Sequence, residues 1–272
     1  MGARILHVSD LHVGAHEDPA VERWIADLVA RTRPELVVAS GDLTHRGRRE
    51  QHERAARFLK SLGPPILAIP GNHDIPGSPP SRVTQPWREF ERQWETTEPV
   101  YRSPTLLAVG LNSVRPWRYQ SGAVRDAQLA RAQEQLERAA PGVVRVVALH
   151  HHMIGAPWRS RKRPVARRNH VLARLVDCGA DLILGGHTHQ AAVSERHEFE
   201  VLLSDDRPGV VVSIAPGLGQ PRPRRLGEAR GVHLYTVEDE TIEVETHVWE
   251  GEHFAPTALR RFPRRPVSAS RG

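Results

Sequence analysis

Asp10 and His12, Asp42, Asn72 with His73 and Asp74, His150, and His187 with His189 are the residues of this chain best suited to chemistry. Carboxylate, amide carbonyl and imidazole are the donors that hold Mn, Fe, Zn, Ni or Co in sites built without thiolate. Asp10, His12, Asp42, Asn72, His150, His187 and His189 together are more ligands than one ion takes. Two ions sharing one carboxylate use them all. Two ions about 3.5–4 Å apart clamp the attacking and leaving oxygens of an in-line displacement, and they turn a bridging water into hydroxide near neutral pH.

Each of these groups follows a short apolar run: Ile5–Val8, Leu36–Ala39, Ile66–Ile69, Val143–Leu149 and Leu182–Leu184. Short β-rich runs bounded by Gly and Pro read as buried strands. In an open α/β sheet, ligands bind beyond the carboxyl ends of the strands, so the five groups are expected to converge on one edge. Helical stretches alternate with the strands at Val21–Arg31, Glu50–Leu62, Ala123–Ala139 and His170–Cys178. This rhythm implies a parallel or mixed sheet with helices on its faces. Ile75–Pro86 reads as a loop. Val210–Ile214, Val232–Val237 and Ile242–Val248 read as strands forming a second sheet packed on the first. Domain bounds are set at 1–255, with a loosely ordered Pro/Arg-rich tail over 256–272. In the run His150-His151-His152, alternation along a strand turns His151 away from the side His150 faces. One of these two is the candidate ligand, His150 or alternatively His151.

The 272 residues carry a net charge of +6, and all the basic side chains except Lys60 and Lys162 are Arg. That balance suits anionic partners, although an Arg- and Pro-heavy genome accounts for most of it. The single Cys178 excludes a disulfide framework and a thiolate site. No stretch is apolar enough to span a membrane. A strand starts within a few residues of the first, which favours the cytoplasm.

The blocks Asp10-Leu11-His12, Gly41-Asp42, Gly71-Asn72-His73-Asp74, His150 and Gly186-His187-Thr188-His189 resemble those of the calcineurin-like metallophosphoesterases. The resemblance implies an α/β fold, a four-layer α/β-sandwich of two mixed β-sheets flanked by helices. It places the metal site at the carboxyl ends of the strands. It implies that Asp10, His12 and His189 hold one metal, that Asn72, His150 and His187 hold the second, and that Asp42 bridges them. Mn or Fe is the favoured pair. His73 would reach the phosphate as a catalytic residue, and Asp74 would orient it.

Within the family, the blocks look most like bacterial class III cyclic nucleotide phosphodiesterases and related phosphodiesterases. The expected reaction is hydrolysis of a small phosphodiester or nucleotide, 3',5'-cyclic nucleotides included, by a metal-bridging hydroxide. A DNA nuclease and a phosphomonoesterase are the alternatives, and a metal-binding scaffold a remote one. The basic stretch Gly155–Asn169 follows His150, so Trp158, Arg161, Lys162 and Arg163 are expected at the substrate. Nucleic acid is the second choice of partner, no membrane is involved, and the C-terminal strands offer a surface for a homodimer.

Overall fold

Period-two patterning decides which way each strand faces. In β1 (Ala3–Val8), Ile5 points to one side and Leu6 and Val8 to the other, and all three are buried. A strand buried on both faces sits inside a sheet that is itself covered on both faces. The computed structural model describes residues 2–15, 18–118, 120–155, 162–198, 209–219 and 230–264.

β1 pairs in parallel with β2 (Leu36–Ala39), which pairs in parallel with β3 (Ile66–Ala68). Three more strands extend the other side of β1 in antiparallel fashion: β10 (Gly231–Val237), β11 (Thr241–Trp249) and β12 (Phe254–Pro263). The second sheet runs β4 (Val100–Arg102), β5 (Leu106–Leu111), β6 (Val144–Leu149), β7 (Leu182–Gly185), β9 (Val211–Ile214), β8 (Ala192–Glu195). Its β5, β6, β7 and β9 are parallel, and the edge strands β4 and β8 are antiparallel.

The sheets pack face to face. Ile5, Val38, Leu67 and Val237 of the first meet Ala108, Val146, Leu184 and Val211 of the second in one apolar cluster. Outside the first sheet lie α1 (Pro19–Thr32), α2 (Arg49–Ser61) and α4 (Arg88–Trp94), the last following the single turn α3 (Ser81–Thr84). Outside the second lie α5 (Asp126–Glu137) and α6 (Arg168–Asp177). This is the expected helix–sheet–sheet–helix sandwich.

Local signals set the helices. Asp18 caps α1 by accepting from Ala20 N at 3.1 Å, with Pro19 at the first helical position. Val21, Ile25, Leu28 and Val29 form the buried stripe of α1. Each such side chain stabilises by about 1.5–3 kcal/mol, so Ile25→Asp would detach the helix.

Two expectations are corrected. The C-terminal strands form no sheet of their own: β9 joins the second sheet beside β7, while β10 and β11 extend the first beside β1. The open edges of the two parallel cores supply the pairing partners. The stretch after Pro256 is no loose tail as far as it is described. It belongs to β12, which pairs with β11 from Trp249↔Phe254 to Thr241↔Pro263, and Phe262 enters the core between the sheets. Its Pro and Arg residues fit an edge strand, which needs few amide donors and tolerates charge.

Candidate metal centre

The loop after β1 lies against the loop after β2. Asp10 N donates to Gly41 O and His12 N to Asp42 O, both at 2.9 Å. The ligand loops leave ordinary backbone space. Asp10, His12, Asp42, His187 and His189 have φ of 53°, 49°, 51°, 73° and 61°. Side chains other than Gly seldom take this left-handed region, although Asp and His are enriched in it. It costs on the order of 1–3 kcal/mol per residue, and such positions gather at functional sites. Gly41 also has φ 94°, and a Cβ there would lie 2.7 Å from His150 Nδ1, so only glycine lets the imidazole approach.

Two groups of donor atoms result. In the first, His189 Nε2 lies 3.1 Å from both His12 Nε2 and Asp10 Oδ1. In the second, His150 Nε2 lies 3.1 Å from His187 Nδ1, 3.2 Å from Asn72 Oδ1 and 3.4 Å from Asp42 Oδ1. Asp42 faces both groups, because its Oδ2 lies 3.8 Å from His12 Nε2. Each carboxylate spends one oxygen on the protein. Asp10 Oδ2 accepts from Ser9 Oγ at 2.7 Å and His187 N at 2.9 Å, and Asp42 Oδ1 accepts from His73 N at 2.8 Å. The other two oxygens, Asp10 Oδ1 and Asp42 Oδ2, are buried and accept no hydrogen bond among the described residues.

Proton accounting tests whether cations fit. His150 Nδ1 donates to the Ser40 carbonyl at 2.8 Å, which leaves Nε2 of the neutral ring as a bare lone pair. His187 Nε2 meets the Gln120 carbonyl at 3.1 Å, which leaves Nδ1 bare. Those two lone pairs, the Asn72 carbonyl and the Asp42 carboxylate converge with no proton between them. Carbonyl partners that fix imidazole tautomers in this way are characteristic of metal ligands. Bonds of about 2.0–2.1 Å put neighbouring ligand atoms about 3–3.4 Å apart, close to the 3.1–3.4 Å found around His189 Nε2 and His150 Nε2, while His12 Nε2 stands somewhat further, 3.8 Å, from Asp10 Oδ1. The residues therefore fit a pair of metal ions, and Asp10/His12/His189 and Asp42/His150/His187 are clusters able to hold metal.

The electrostatics agree. Burial opposes ionisation of Asp10 and Asp42, but the surrounding imidazoles outweigh it and hold both carboxyls well below their usual range. Burial also opposes a charge on His150, yet Asp42 and Asp10 raise it to about 9. Without metal, a proton on His150 is what the crowded acceptors demand. Burial carries His12 down to about 3 despite the two carboxylates.

The structure departs from expectation at Asp74. Its oxygens accept from Gly71 N at 2.8 Å, Leu43 N at 3.1 Å, Thr44 N at 2.7 Å and Thr44 Oγ1 at 2.9 Å. Asp74 thus ties the loops after β2 and β3 together and does not orient His73. The His73 partner is the His45 carbonyl, 2.9 Å from Nδ1, with the two rings stacked at 5.9 Å. From the sequence, His45 reads as a neighbour of the ligand blocks, either supporting them or merely at the surface. Its position three residues after Asp42, on the same loop, was the available signal. His151 Nδ1 meets Ser113 Oγ at 2.8 Å, and its ring packs against that of His187 with centroids 4.6 Å apart, behind the ligand atoms rather than among them. Lys162 does not project toward a cleft: it is buried, and its ammonium donates to the His187 carbonyl. Arg163 is exposed, and Trp158 and Arg161 lie outside the described residues. Among the described residues, the cleft beside the cluster is lined by His45, Arg46, Arg48, Asn72, His73 and Arg82, with others.

The sequence matches the calcineurin-like phosphoesterase family over residues 3–191, and the chain belongs to that family. It is 28% identical over 223 residues to the 3',5'-cyclic adenosine monophosphate phosphodiesterase CpdA of Pseudomonas aeruginosa, covering 79% of this chain and 73% of the relative. A shorter stretch of 80 residues, 26% of this chain and 29% of the relative, is 38% identical to the glycerophosphodiester phosphodiesterase GpdQ of Enterobacter lignolyticus. The fold is similar to that of the purple acid phosphatase PPD1 of yellow lupin, with a TM-score of 0.72 and 11% identity, over 97% of this chain and 54% of the other. The chain is a metal-dependent phosphoric ester hydrolase by family, with a centre to match.

Proposed function

We propose that this protein hydrolyses phosphodiesters of nucleotides at a dinuclear centre, with 3',5'-cyclic nucleotides as the first substrates to test. The observation that carries the reading is the convergence of the Asn72 carbonyl, the Asp42 carboxylate and His187 Nδ1 within 3.1–3.4 Å of His150 Nε2. Asp10, His12 and His189 would hold one ion, Asn72, His150 and His187 the other, and Asp42 both. A bound pair supplies Lewis acidity toward phosphoryl oxygens and eases deprotonation of the attacking water. The hard donors suit Mn or Fe.

His73 does the proton work. Its Nδ1–H is committed to the His45 carbonyl, so Nε2 is the atom that carries a second proton and yields it to the leaving oxygen. Its backbone N–H holds Asp42 Oδ1, which couples its position to the centre. A cleft of about 670 Å³ beside His73 has room for a nucleotide. The phosphodiesterase names of the two curated relatives support diester over monoester chemistry.

The test is metal-reconstituted protein assayed on bis-p-nitrophenyl phosphate, p-nitrophenyl phosphate, cyclic AMP and cyclic GMP, with elemental analysis of the same preparation. Two ions per chain and faster turnover of the bis-ester are expected. One ion at saturating Mn would end the dinuclear reading. Faster turnover of p-nitrophenyl phosphate would make the protein a monoesterase.

A further inference from the structure

The cleft next to His73 carries more positive charge than one scissile phosphate requires. Arg46 and Arg48 line it together with His45, His73 and Arg82, and no carboxylate lines it among the described residues. Arg82 is buried and committed to protein carbonyls, with Nε on Pro116 O at 2.7 Å and Nη1 on Pro76 O at 2.9 Å. Arg46 and Arg48 are exposed and pair with no carboxylate among the described residues. Their neighbours differ. Arg49 is neutralised by Glu53 at 2.7 Å and Arg54 faces Glu22 at 3.5 Å.

The loop that presents this pair is built. Gln51 Oε1 accepts from Arg46 N at 2.9 Å and from Arg48 N at 3.4 Å. Between them Gly47 N donates to Thr44 Oγ1 at 3.0 Å, and Thr44 is itself tied to Asp74. Gly47 has φ 61°, and a Cβ there would lie 2.5 Å from the Ile75 carbonyl, so the loop seats directly on the segment after His73. A backbone held at three successive amides loses little entropy when its side chains close on a ligand.

We infer that Arg46 and Arg48 form a subsite for a second phosphate, carried by the end of the substrate that does not react. The inference rests on the phosphodiesterase reading and narrows it. The metal ligands and His73 answer the charge of the scissile phosphate, while the arginine pair answers a separate anion further along the cleft. Guanidinium groups bind phosphate oxygens by paired, charge-assisted hydrogen bonds. A cyclic nucleoside monophosphate has no second anion and leaves the pair unengaged. A nucleotide with a terminal phosphate, or a strand with a neighbouring diester, engages it.

Binding to the metal-loaded protein tests this without requiring turnover. Thymidine 3',5'-bisphosphate should bind about tenfold more tightly than thymidine 5'-phosphate by calorimetry, the scale of one good charge-assisted contact. The advantage should shrink as salt rises. In Arg46→Gln/Arg48→Gln it should fall to twofold or less. In Arg23→Gln/Arg57→Gln, which removes the same charge from α1 and α2, it should persist. Equal affinities in the wild type, or an advantage that survives in Arg46→Gln/Arg48→Gln, would overturn the subsite. Turnover of pTpT and TpTpT against TpT then separates the sources. Preference for pTpT assigns a terminal phosphate, preference for TpTpT assigns a strand, and no preference for either overturns the claim. Bis-p-nitrophenyl phosphate in the same preparation reports separately on the diesterase reading.

Discussion

Two buried, histidine-rich clusters lie close together in this molecule, and they are built on opposite logic. The edge cluster joins Asp10, His12, Asp42, Asn72, His150, His187 and His189 at the strand ends. The interior cluster lies between the sheets, where His7 Nε2 meets Ser40 Oγ at 2.8 Å and His7 Nδ1 meets Tyr235 Oη at 3.2 Å. Tyr235 Oη donates to Ser213 Oγ at 2.7 Å, and Ser213 Oγ meets His233 Nδ1 at 2.9 Å. Imidazoles alternate with hydroxyls there, and a hydroxyl can both donate and accept. In the edge cluster, lone pairs face lone pairs. The interior residues Ser213, His233 and Tyr235 sit on regular strands, whereas five of the seven edge residues are left-handed. A count of buried histidines therefore does not identify a cation site. Acceptors set against acceptors on unusual backbone do.

The largest test of the contrast is Asp42→Ala. It removes the carboxylate shared by both edge groups, so metal content should fall below one ion per chain. Turnover should fall by more than ~10³-fold, beyond the loss of a single transition-state donor. Tyr235→Phe in the interior should leave metal content at the wild-type level by elemental analysis. A variant of Asp42 that retained two ions would mean that the two groups are not joined through it.

His73→Gln separates chemistry from metal binding. Metal content should hold while turnover drops ~100-fold. Alkyl leaving groups should suffer more than p-nitrophenolate, because they need the proton more. Equal losses would leave charge stabilisation as its role. Asp74→Asn comes next in size. An amide in place of a carboxylate that accepts from three backbone N–H groups and one hydroxyl should cost roughly 3 kcal/mol in urea unfolding of the metal-free protein. Because Asp74 does not touch the His73 ring, the ratio of alkyl to nitrophenyl turnover should stay at its wild-type value. A shifted ratio would restore the orienting role that the family resemblance implies.

Much of the edge cluster was legible because its residues follow strands whose apolar runs are unmistakable. Leu36–Ala39 was read with the bounds the structure shows. Strands with no ligand at their ends carry no such marker. Leu106–Leu111 is as apolar and as buried as β6, yet it carries no side chain that asks a chemical question. The partner of His73 was not legible because a backbone carbonyl has no letter in the sequence, and the same holds for Ser40 O and Gln120 O. The tail was misread because Pro and Arg suggest loose chain, and only pairing with β11 shows that Phe254 and Phe262 anchor it on opposite faces. The interior cluster was missed for a further reason. His7, His233 and Tyr235 meet through the distant pairing of β1 with β10, and Ser213 joins them only where the two sheets close.

The smallest effect expected is a pH dependence of stability from the interior cluster, and its sign is fixed. Burial first, and then the charge of His247, carry His233 from 6.5 down to about 3. Between those values the unfolded chain takes up a proton that the folded chain refuses. Stability from this group is therefore complete above pH 6.5 and is lost as the pH falls toward 3, by up to ~1.4 kcal/mol per unit. From pH 6.5 to 5 that amounts to roughly 2 kcal/mol. The sign is opposite for His150 in metal-free protein, whose value is raised to about 9. Its contribution is present below 6.5 and is lost as the pH rises through 9. Urea unfolding of metal-free protein at pH 7 and pH 5 should show a shallower acid loss for His233→Gln than for the wild type. Parallel curves for the two proteins would mean that the folded state protonates this ring as readily as water does. The interior would then not be the closed hydroxyl-and-imidazole chain that sets it apart from the metal edge.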